Sequence, residues 1–484
     1  MQRLAYDVFK GAHMLMLSEI ANVVGGQLIS HDIGMRDVLC ESVGSDSRNI
    51  AKNQLFVAIK GERFDGNAYA AEAIKQGAAA ALVSDANTQA SPTVLVADTR
   101  LALGQLAEYW RTTLPLPLVA VTGSNGKTTV KEMLAAILQV TVFKTSASLS
   151  VLATQGNLNN DIGMPMTLLK LRKQHAYAVI EMGMSHEGEI RYLTNIAKPN
   201  VAVVNNAGIA HIGEVGSREG IARAKGEIFE GLASDGTAVI NSDDTFADYW
   251  KSLNANRKII TFALSAQADV TASYEEAAGV SKVMLTTPAG SIHFKLNVLG
   301  KHNISNALAA SACAHALGIS NVDIAHGLES FAAVKGRLQR KAGFNGASLI
   351  DDTYNANPDS MKAAIDVLAS QHGKNIFVMG DMAELGVDAA QMHVDIGLYA
   401  KQKGIPLLLT FGELSQQASQ VFGANAQHFT SLETLVLRLK NSMQVNTTVL
   451  VKGSRFMQME RVVVAIEVKD TSKKVVSKEL MEEK

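Results

Sequence analysis

A glycine-bearing segment between an apolar run and a helical pattern dictates much of the fold. Leu118–Val121 is short and apolar, as a buried strand is, and a segment with two glycines, residues 122–129, follows it directly. A helical pattern then runs from Lys127 to about residue 138. A strand, a tight glycine turn and a helix in that order aim backbone N–H groups and the positive end of the helix at an anion. The segment therefore predicts a phosphate-binding loop inside an α/β domain.

The side chains of this loop have the chemistry of a nucleoside triphosphate site. Lys127 can reach the β- and γ-phosphates, and the hydroxyl of Thr128 can ligate Mg²⁺. The more common, longer loop has Gly or Ala at the position of Val121, so this loop is the compact form. The alternative is a glycine turn that only joins a strand to a helix, and the flanking strand and helix favour the phosphate loop. The residues expected to bind ATP here are Thr122, Gly123, Ser124, Asn125, Gly126, Lys127, Thr128 and Thr129.

Strand and helix patterns alternate along all 484 residues, a length that suits several domains. We place domain boundaries at 1–97, 98–334 and 335–468, followed by a charged tail at 469–484. Such alternation predicts parallel sheets covered on both faces. Between about 269 and 299 the pattern changes to strict alternation, which predicts a small antiparallel insert. We expect an α/β protein with a small N-terminal α/β domain, a central P-loop ATPase-like domain and a C-terminal Rossmann-like domain.

Composition and charge exclude several kinds of protein. Lys and Arg number 45 against 46 Asp and Glu, so a net charge of −1 gives no electrostatic footprint for nucleic acid or an anionic membrane surface. The only cysteines, Cys40 and Cys313, argue against a disulfide framework and fit a reducing compartment. No apolar run approaches the ~18 residues of a membrane span, and the N-terminus lacks signal-peptide organisation. We expect a cytoplasmic protein without nucleic-acid partners or membrane insertion.

Two potential metal ligands follow predicted strands of the central domain. Glu181 ends the apolar run 176–180, and His211 lies just beyond the run 201–205. The carboxyl ends of parallel strands border the ligand crevice, on the same side as the phosphate loop. Both side chains can ligate a divalent ion. The alternatives are a salt-bridged Glu at the sheet edge and a His satisfied by hydrogen bonds.

A cluster of polar side chains opens the helix predicted over 303–317. Asn303 and Asn306 are three residues apart and share a helical face. Their amides can pair with the edge of adenine, and the imidazole of His302 can stack on its face. The alternative for Asn303 is a helix N-cap.

Motifs along the chain resemble those of the Mur ligase family, ATP-dependent amide-bond formers of peptidoglycan precursor synthesis. The resemblance extends from Leu17 to about Val468, and its most specific strings are Gly156–Asn160 and Asp351–Met361. The sibling that adds a third amino acid carries a D-Y-A-H-T-P-type string in place of the second. The resemblance implies a monomer that joins D-alanyl-D-alanine to the terminal carboxylate of UDP-N-acetylmuramoyl-tripeptide, through an acyl phosphate, with ADP and phosphate released.

The resemblance also implies roles for individual residues. It places Arg337 against the ATP phosphates and Asp352 near the ribose, with adenine at His302, Asn303 and Asn306. It makes Lys225 a carbamate formed with CO₂, which would turn a cation into an anionic oxygen ligand. The alternatives are a solvated Lys225 and a surface Arg337. The implied Mg²⁺ ligands are Thr128, Glu181, His211 and Lys225, and the implied catalytic residues are Lys127, Glu181, His211, Lys225 and Arg337.

Substrate candidates fall into three groups. The UDP end is assigned to Ser47, Arg48, Arg63, Asp65 and Gly66, with a turn and a structural ion pair as the alternative. The sugar or peptide is assigned to Asn157, Asn159 and Asn160, with turn formation as the alternative. The dipeptide is assigned to the C-terminal domain, at Asn355, Asn357, Lys452, Ser454 and Arg455.

Two other functions stay open at this point. A sibling amino-acid-adding ligase or a folylpolyglutamate synthase would share the phosphate loop but not the Asp351–Met361 string. A nucleotide-gated binding protein without catalysis is a different class, and the intact Lys127, Glu181, His211 and Lys225 argue against it. Whether the third peptide residue is diaminopimelate or lysine is open as well.

Overall fold

Three α/β domains follow one another along the chain in a computed structural model that describes residues 14–30, 36–209, 212–277 and 280–468. The predicted fold class is confirmed, while the boundaries at 97 and 334 stay predictions. His211 and the tail at 469–484 lie outside the described residues. Within the part of the chain that the structure describes, no helix is long and apolar enough to cross a bilayer.

The N-terminal domain is built on a five-stranded sheet, parallel except for its first edge strand. The helical segment that follows strand Gln54–Val57 is divided into a 3₁₀ turn, Gly66–Tyr69, and an α-helix, Ala70–Lys75. The turn starts at Gly66 because the Asp65 carboxylate accepts a hydrogen bond from the backbone N–H of Asn67. The domain also contains a helix, Leu17–Val23, and two short antiparallel strands, Leu15–Met16 and Leu39–Cys40. The order of strands in the five-stranded sheet is Gln27–Ile29, Thr93–Leu95, Ala80–Val83, Gln54–Val57 and Ser42–Gly44.

The central domain contains six parallel strands, with the strand before the phosphate loop in the middle. That strand, Leu118–Thr122, pairs with His175–Glu181 on one side and Val201–Val204 on the other. Later strands of the domain therefore lie on both sides of its first strand. In such sheets ligands bind at the carboxyl end of the strand where the strand order changes direction, and here that strand is Leu118–Thr122. The full order is Lys258–Phe262, Thr237–Asn241, Val201–Val204, Leu118–Thr122, His175–Glu181 and Ser150–Ala153.

Helices cover both faces of this sheet. Alternate residues of its strands are therefore buried in two different hydrophobic clusters. Asp98 caps the first helix of the domain, because its carboxylate accepts hydrogen bonds from the N–H groups of Arg100 (2.7 Å) and Leu101 (3.2 Å). The phosphate-loop helix extends past its predicted end near Leu138 because no Gly or Pro interrupts it. The helices are Thr99–Thr113, Lys127–Thr145, Gly163–Leu168, Glu189–Ala197, Ile212–Val215, Arg218–Gly226, Ala247–Ser252, Lys301–Ala316 and Asn321–Ser330, with a 3₁₀ helix at Glu227–Gly231.

The predicted antiparallel insert is confirmed as three strands, Thr271–Ala277, Val280–Thr287 and Gly290–Leu296. In the middle strand Val283 and Leu285 are buried, while Lys282 and Met284 are exposed and Thr286 is half-buried. One apolar face per strand is what strict alternation predicts.

The C-terminal domain is a second doubly wound sheet, as predicted, with one antiparallel edge strand, Gln339–Ala342, that the sequence did not predict. Alternate residues such as Phe377 and Val378 enter two separate clusters, so helices cover both faces. From that edge, the other strands are Ser348–Asp352, Thr447–Lys452, Lys374–Gly380, Leu407–Phe411 and Ala426–Phe429; the helices are Pro358–Ala369, Ala389–Gln402, Ser415–Phe422, Leu432–Lys440 and Glu460–Ile466.

Candidate active site

The central and C-terminal domains face each other across a cavity of about 1370 Å³. That volume exceeds the roughly 300–1,000 Å³ of most small-molecule sites, so the cavity has room for more than one ligand. The predicted ATP residues and the predicted dipeptide residues meet in its walls. The wall residues that were predicted are Ser124, Asn125, Gly126, Lys127, Thr129, Asn157, Asn159, Asn160, Glu181, His302, Asn303, Asn306, Arg337, Asp352, Asn355, Asn357, Lys452 and Arg455.

The phosphate loop has the tight turn that its glycines predict. Gly126 has φ +81°, and a Cβ on it would lie 2.2 Å from Oδ1 of Asn306, so only glycine fits. The Nζ of Lys127 donates to the backbone oxygen of Gly123 at 2.7 Å, which folds the side chain back over the loop. Burial lowers the pKa of Lys127, and the negative charge of Glu181 opposes that shift.

Two asparagines that the sequence analysis missed hold this loop. Asn206 accepts hydrogen bonds from the N–H groups of Ser124 (3.0 Å, backbone oxygen) and Asn125 (2.9 Å, Oδ1). Asn205 donates through Nδ2 to the Asn125 backbone oxygen and to Asn306 Oδ1, both at 2.9 Å. The N–H groups of Ser124 and Asn125 are thus already paired, and the anion site is centred on the helix start. An Asn-Asn pair directly after strand Val201–Val204 was the available signal.

The hydroxyl of Thr128 joins two of the predicted catalytic side chains. It donates to Oε2 of Glu181 and accepts from Nη2 of Arg337, both at 2.9 Å. Glu181 is 2% exposed, and its other oxygen, Oε1, accepts from Nδ2 of Asn159 at 2.8 Å. The Nε of Arg337 is buried and makes no hydrogen bond within the described structure. Buried unpaired donors are rare, so this N–H marks a place for an anionic oxygen.

Oxygen donors are available for Mg²⁺ beside the loop. Thr128 and Glu181 are adjacent, and Mg²⁺ in nucleotide sites takes most of its other ligands from phosphates and water. Across the described ranges, no three His, Cys, Asp or Glu side chains cluster in a way that would bind a metal by themselves. The adjacent Thr128 and Glu181 fit an ion whose other ligands come from a nucleotide and water.

Lys225 is enclosed in the protein. It lies on the helix Arg218–Gly226 and is 1% exposed. Burial lowers its pKa well below the ordinary lysine value, and the positive charge of Lys127 lowers it further. The alternative of a solvated lysine is therefore wrong.

The helix start predicted to bind adenine has Gly300 as its N-cap, so the N-cap alternative for Asn303 is wrong. Asn303 instead donates through Nδ2 to the Leu299 backbone oxygen at 2.8 Å, and Asn306 Nδ2 lies 3.4 Å from Asn303 Oδ1. Burial lowers the pKa of the neighbouring His302 to about 4, against the opposing charge of Asp352. His302 is consequently neutral at pH 7.

Several C-terminal candidates have partners within the protein. Lys452 is buried, and its Nζ lies 2.6 Å from Oδ2 of Asp352 and donates to the Asn355 backbone oxygen at 2.9 Å. Ser454 is buried and links Ala356 to Ala383, behind the cavity wall. Arg455 lines the cavity but pairs with Glu460 at 2.8 Å. These contacts fix the shape of the wall, and direct contact with a dipeptide stays a prediction.

The asparagine-rich segment has divided roles. Asn159 holds Glu181, as described above, and Asn157 lies on the cavity wall. Asn160 accepts the N–H of Gly163 at 2.9 Å through Oδ1, which agrees with the turn-forming alternative for that residue.

The N-terminal candidates are separate from this cavity, whose walls in the described residues include none of them. Arg48, 87% exposed, pairs with Asp46 at 2.8 Å, as the alternative of a structural ion pair predicted. A Cβ on Gly66 would lie 2.6 Å from the Ile59 oxygen, so close packing alone requires this glycine. For Ser47, Arg48, Arg63, Asp65 and Gly66, UDP binding stays a prediction.

Family models match three consecutive parts of the chain: the Mur ligase family, catalytic domain at 40–111, the Mur ligase middle domain at 121–314, and the Mur ligase, glutamate ligase domain at 336–455. Two similar curated proteins are UDP-N-acetylmuramoyl-tripeptide–D-alanyl-D-alanine ligases. The protein from Escherichia coli (strain K12) is 42% identical, over 93% of this chain and 98% of its own length. The protein from Bacillus subtilis (strain 168) is 36% identical, over 92% and 97%.

Solved structures agree with these matches. A crystal structure of MurF from Acinetobacter baumannii superposes with a TM-score of 0.85 at 38% identity, covering 92% of this chain and 97% of that one. MurF from Thermotoga maritima, in complex with ADP, gives 0.77 at 28% identity, covering 88% and 96%. A Mycobacterium tuberculosis folylpolyglutamate synthase, at 17% identity and a TM-score of 0.60, shares the fold alone. Matches over nearly the whole chain show that this protein belongs to the Mur ligase family.

Proposed function

We propose that this protein is a monomeric, ATP-dependent ligase that joins D-alanyl-D-alanine to the terminal carboxylate of UDP-N-acetylmuramoyl-tripeptide during peptidoglycan precursor synthesis. The observation that carries this proposal is the shared cavity, in which the phosphate loop faces the Asp351–Met361 segment. Asn357 of that segment donates to Asn125 of the loop at 2.8 Å, so the two domains meet at the reacting end of the site. The named activity of relatives at 42% and 36% identity supports it.

ATP suits the central side of the cavity. The start of the helix Lys127–Thr145 offers its positive end, and Lys127 offers an ammonium. Arg337 offers an Nε–H that has no hydrogen-bond partner among the described residues. Neutral His302 can stack on adenine without bringing a charge. The ADP in the Thermotoga maritima relative supports a nucleotide in the equivalent domain.

The chemistry follows from charge. The tripeptide carboxylate attacks the γ-phosphorus of ATP, ADP leaves, and an acyl phosphate forms. Both reactants are anions, so the repulsion between them must be neutralised. Lys127 and Arg337 provide two of the positive charges, and Glu181 and Thr128 would hold the Mg²⁺ that shields the phosphoryl oxygens. The neutral amine of the dipeptide then attacks the acyl carbon, an amide forms, and phosphate leaves.

A carbamate on Lys225 is part of the proposal. Carbamates form on neutral amines, and burial favours the neutral form of this lysine. The modification would replace an unfavourably buried cation near Lys127 with an anion and supply oxygen ligands for a metal ion. His211, at the position that the resemblance assigns to a further ligand, stays a prediction.

Action in the cytoplasm is also proposed, because Cys40 and Cys313 are both buried and unpaired, as in proteins of reducing compartments.

The test is phosphate release that requires both substrates together. Full turnover with UDP-N-acetylmuramoyl-tripeptide and D-alanyl-D-alanine, and none when either is omitted, is expected. Release with a single amino acid in place of the dipeptide would favour a sibling ligase, and tight ATP binding without release would favour the non-catalytic alternative. Parallel assays with diaminopimelate- and lysine-containing tripeptides would identify the third residue. A relative from Acinetobacter baumannii, 36% identical, is a UDP-N-acetylmuramoylalanyl-D-glutamyl-2,6-diaminopimelate–D-alanyl-D-alanyl ligase, and we expect the diaminopimelate form here.

A further inference from the structure

The ring of Tyr354 lies against the guanidinium of Arg337. The guanidinium carbon is 4.2 Å from the ring centroid, well inside the ~6 Å range of a cation–π contact. Tyr354 follows the strand Ser348–Asp352, and Arg337 precedes the edge strand Gln339–Ala342, so both lie at the start of the C-terminal range. The two residues lie in the cavity wall.

The backbone fixes this arrangement. The N–H of Tyr354 donates to the Gly336 oxygen at 3.1 Å, and the N–H of Arg337 donates to the Val334 oxygen at 3.0 Å. Gly336 has φ +70°, and a Cβ there would lie 3.3 Å from the Tyr354 nitrogen. A glycine with a positive φ thus allows the connection to turn beside Tyr354, and the next side chain, Arg337, meets the ring.

The far end of Arg337 is directed into the phosphate site. Its Nη2 donates to Thr128 Oγ1 at 2.9 Å, while its buried Nε is without a hydrogen-bond partner in the described structure. An arginine side chain has many rotamers, and ordering it costs conformational entropy. The acceptor at its tip is a single uncharged hydroxyl, so the guanidinium needs a second contact to stay at the phosphates, and the ring face is in place to provide it.

We propose that Tyr354 is a positioning residue whose ring face holds the Arg337 guanidinium at the β- and γ-phosphates. The inference deepens the proposed function, on which it rests for the identity of the nucleotide. Because Arg337 and Tyr354 both lie in the C-terminal range and Thr128 lies in the central domain, the guanidinium held by the ring reaches the phosphate site only when the two domains are together. The positive charge that Arg337 brings to the phosphates therefore depends on contact between the two domains.

The positioning of Arg337 depends on the aromatic ring face of Tyr354. Phenylalanine has this face, whereas leucine has a similar volume but no ring. We expect Tyr354→Phe to keep kcat/KM for ATP within about twofold, and Tyr354→Leu to lower it by about tenfold, the effect of a desolvated cation–π contact. The KM for D-alanyl-D-alanine should stay unchanged in both variants. An effect confined to the KM for D-alanyl-D-alanine would instead indicate that Tyr354 packs the wall or contacts that substrate, and would overturn the proposal.

A double-mutant cycle with Arg337→Ala separates this inference from the proposed function. The affinity for the non-hydrolysable analogue AMP-PNP is measured in all variants, with AMP as the control because it lacks β- and γ-phosphates. We expect Tyr354→Leu to weaken AMP-PNP but not AMP, and to have no further effect once Arg337 is Ala. Equal losses with and without Arg337, or equal affinities for the Leu and Phe variants, would overturn it. Absent ligation by the wild type would sink the proposed function and leave the binding cycle readable.

Discussion

The side chain of Asn357 makes two hydrogen bonds that serve different domains. Its Oδ1 accepts the N–H of Ser360 at 2.9 Å and so caps the helix Pro358–Ala369, while its Nδ2 donates to Oδ1 of Asn125 at 2.8 Å. One residue away from this helix start, the Asp359 carboxylate accepts the N–H of Ile209 at 3.0 Å. The C-terminal domain is therefore tied directly to the phosphate loop and to the segment after strand Val201–Val204.

Asn357→Ser should separate the two roles of this residue. Serine is a good N-cap, so the helix keeps its start, but its hydroxyl is too short to reach Asn125. A neutral hydrogen bond contributes about 1 kcal/mol, so we expect turnover to fall by roughly 3- to 10-fold, with an unchanged melting temperature. Small-angle scattering with AMP-PNP and the UDP-precursor should show less compaction than in the wild type.

Ser360→Ala is the matched control, because it removes the reciprocal bond of the capping box without touching Asn125. Turnover and ligand-induced compaction should both survive that change. Equal compaction in Asn357→Ser and the wild type would contradict a role for this contact in closure.

Lys127→Ala should abolish ligation with the fold intact. The ammonium contacts the Gly123 oxygen within the loop, and its main role is to neutralise the negative charge of the phosphates. We expect turnover to drop at least ~100-fold, consistent with loss of a major electrostatic contact in the transition state. Lys144→Ala, on the exposed end of the same helix and paired with Asp323, should leave turnover unchanged. Similar turnover in Lys127→Ala and the wild type would rule out this loop as the ATP site.

Edge strands show where sequence patterns lose information about the fold. The central strands Leu118–Thr122 and Val201–Val204 are buried on both faces, so their apolar runs predicted them well. Ser150–Ala153, Lys258–Phe262 and Ala426–Phe429 were missed, since half-buried residues at a sheet edge need no continuous apolar run. Order within each sheet depends on pairings between distant segments, which no local pattern encodes.

The candidate site divides in the same way. Lys127, Thr128 and Glu181 were predicted because a local motif or a strand end marks them, and the structure brings them together. Asn205, Asn206 and Tyr354 were missed because their roles exist only through contacts with distant parts of the chain. Conversely, Lys452 and Ser454 belong to a family motif, and the structure shows that they pack against their own domain.

His302 should stay neutral through the physiological range. Burial lowers its pKa to about 4, from 6.5 in an unfolded chain. Between those values the unfolded state binds a proton that the folded state does not. The free energy of unfolding therefore rises with pH from about 4 to 6.5, and this contribution from His302 is lost as the pH falls. NMR titration of the imidazole, assigned by its absence in His302→Gln, should show a midpoint near pH 4. A midpoint near 6.5 would contradict the burial argument and the neutral stacking surface for adenine.

Lys225→Arg should remove nearly all ligase activity. A guanidinium stays protonated and forms no carbamate, whereas the lowered pKa of the buried Lys225 amine makes the neutral, reactive form available at lower pH than in an ordinary lysine. Removing CO₂ at mildly acid pH should slow the wild type, and bicarbonate should restore it. Wild-type protein in ¹³C-bicarbonate should show a carbamate carbon signal that the variant lacks. Arg223→Lys, exposed on the same helix, is the control and should change neither readout. Near-normal turnover of a folded Lys225→Arg protein, or a wild type without the carbon signal, would exclude the carbamate.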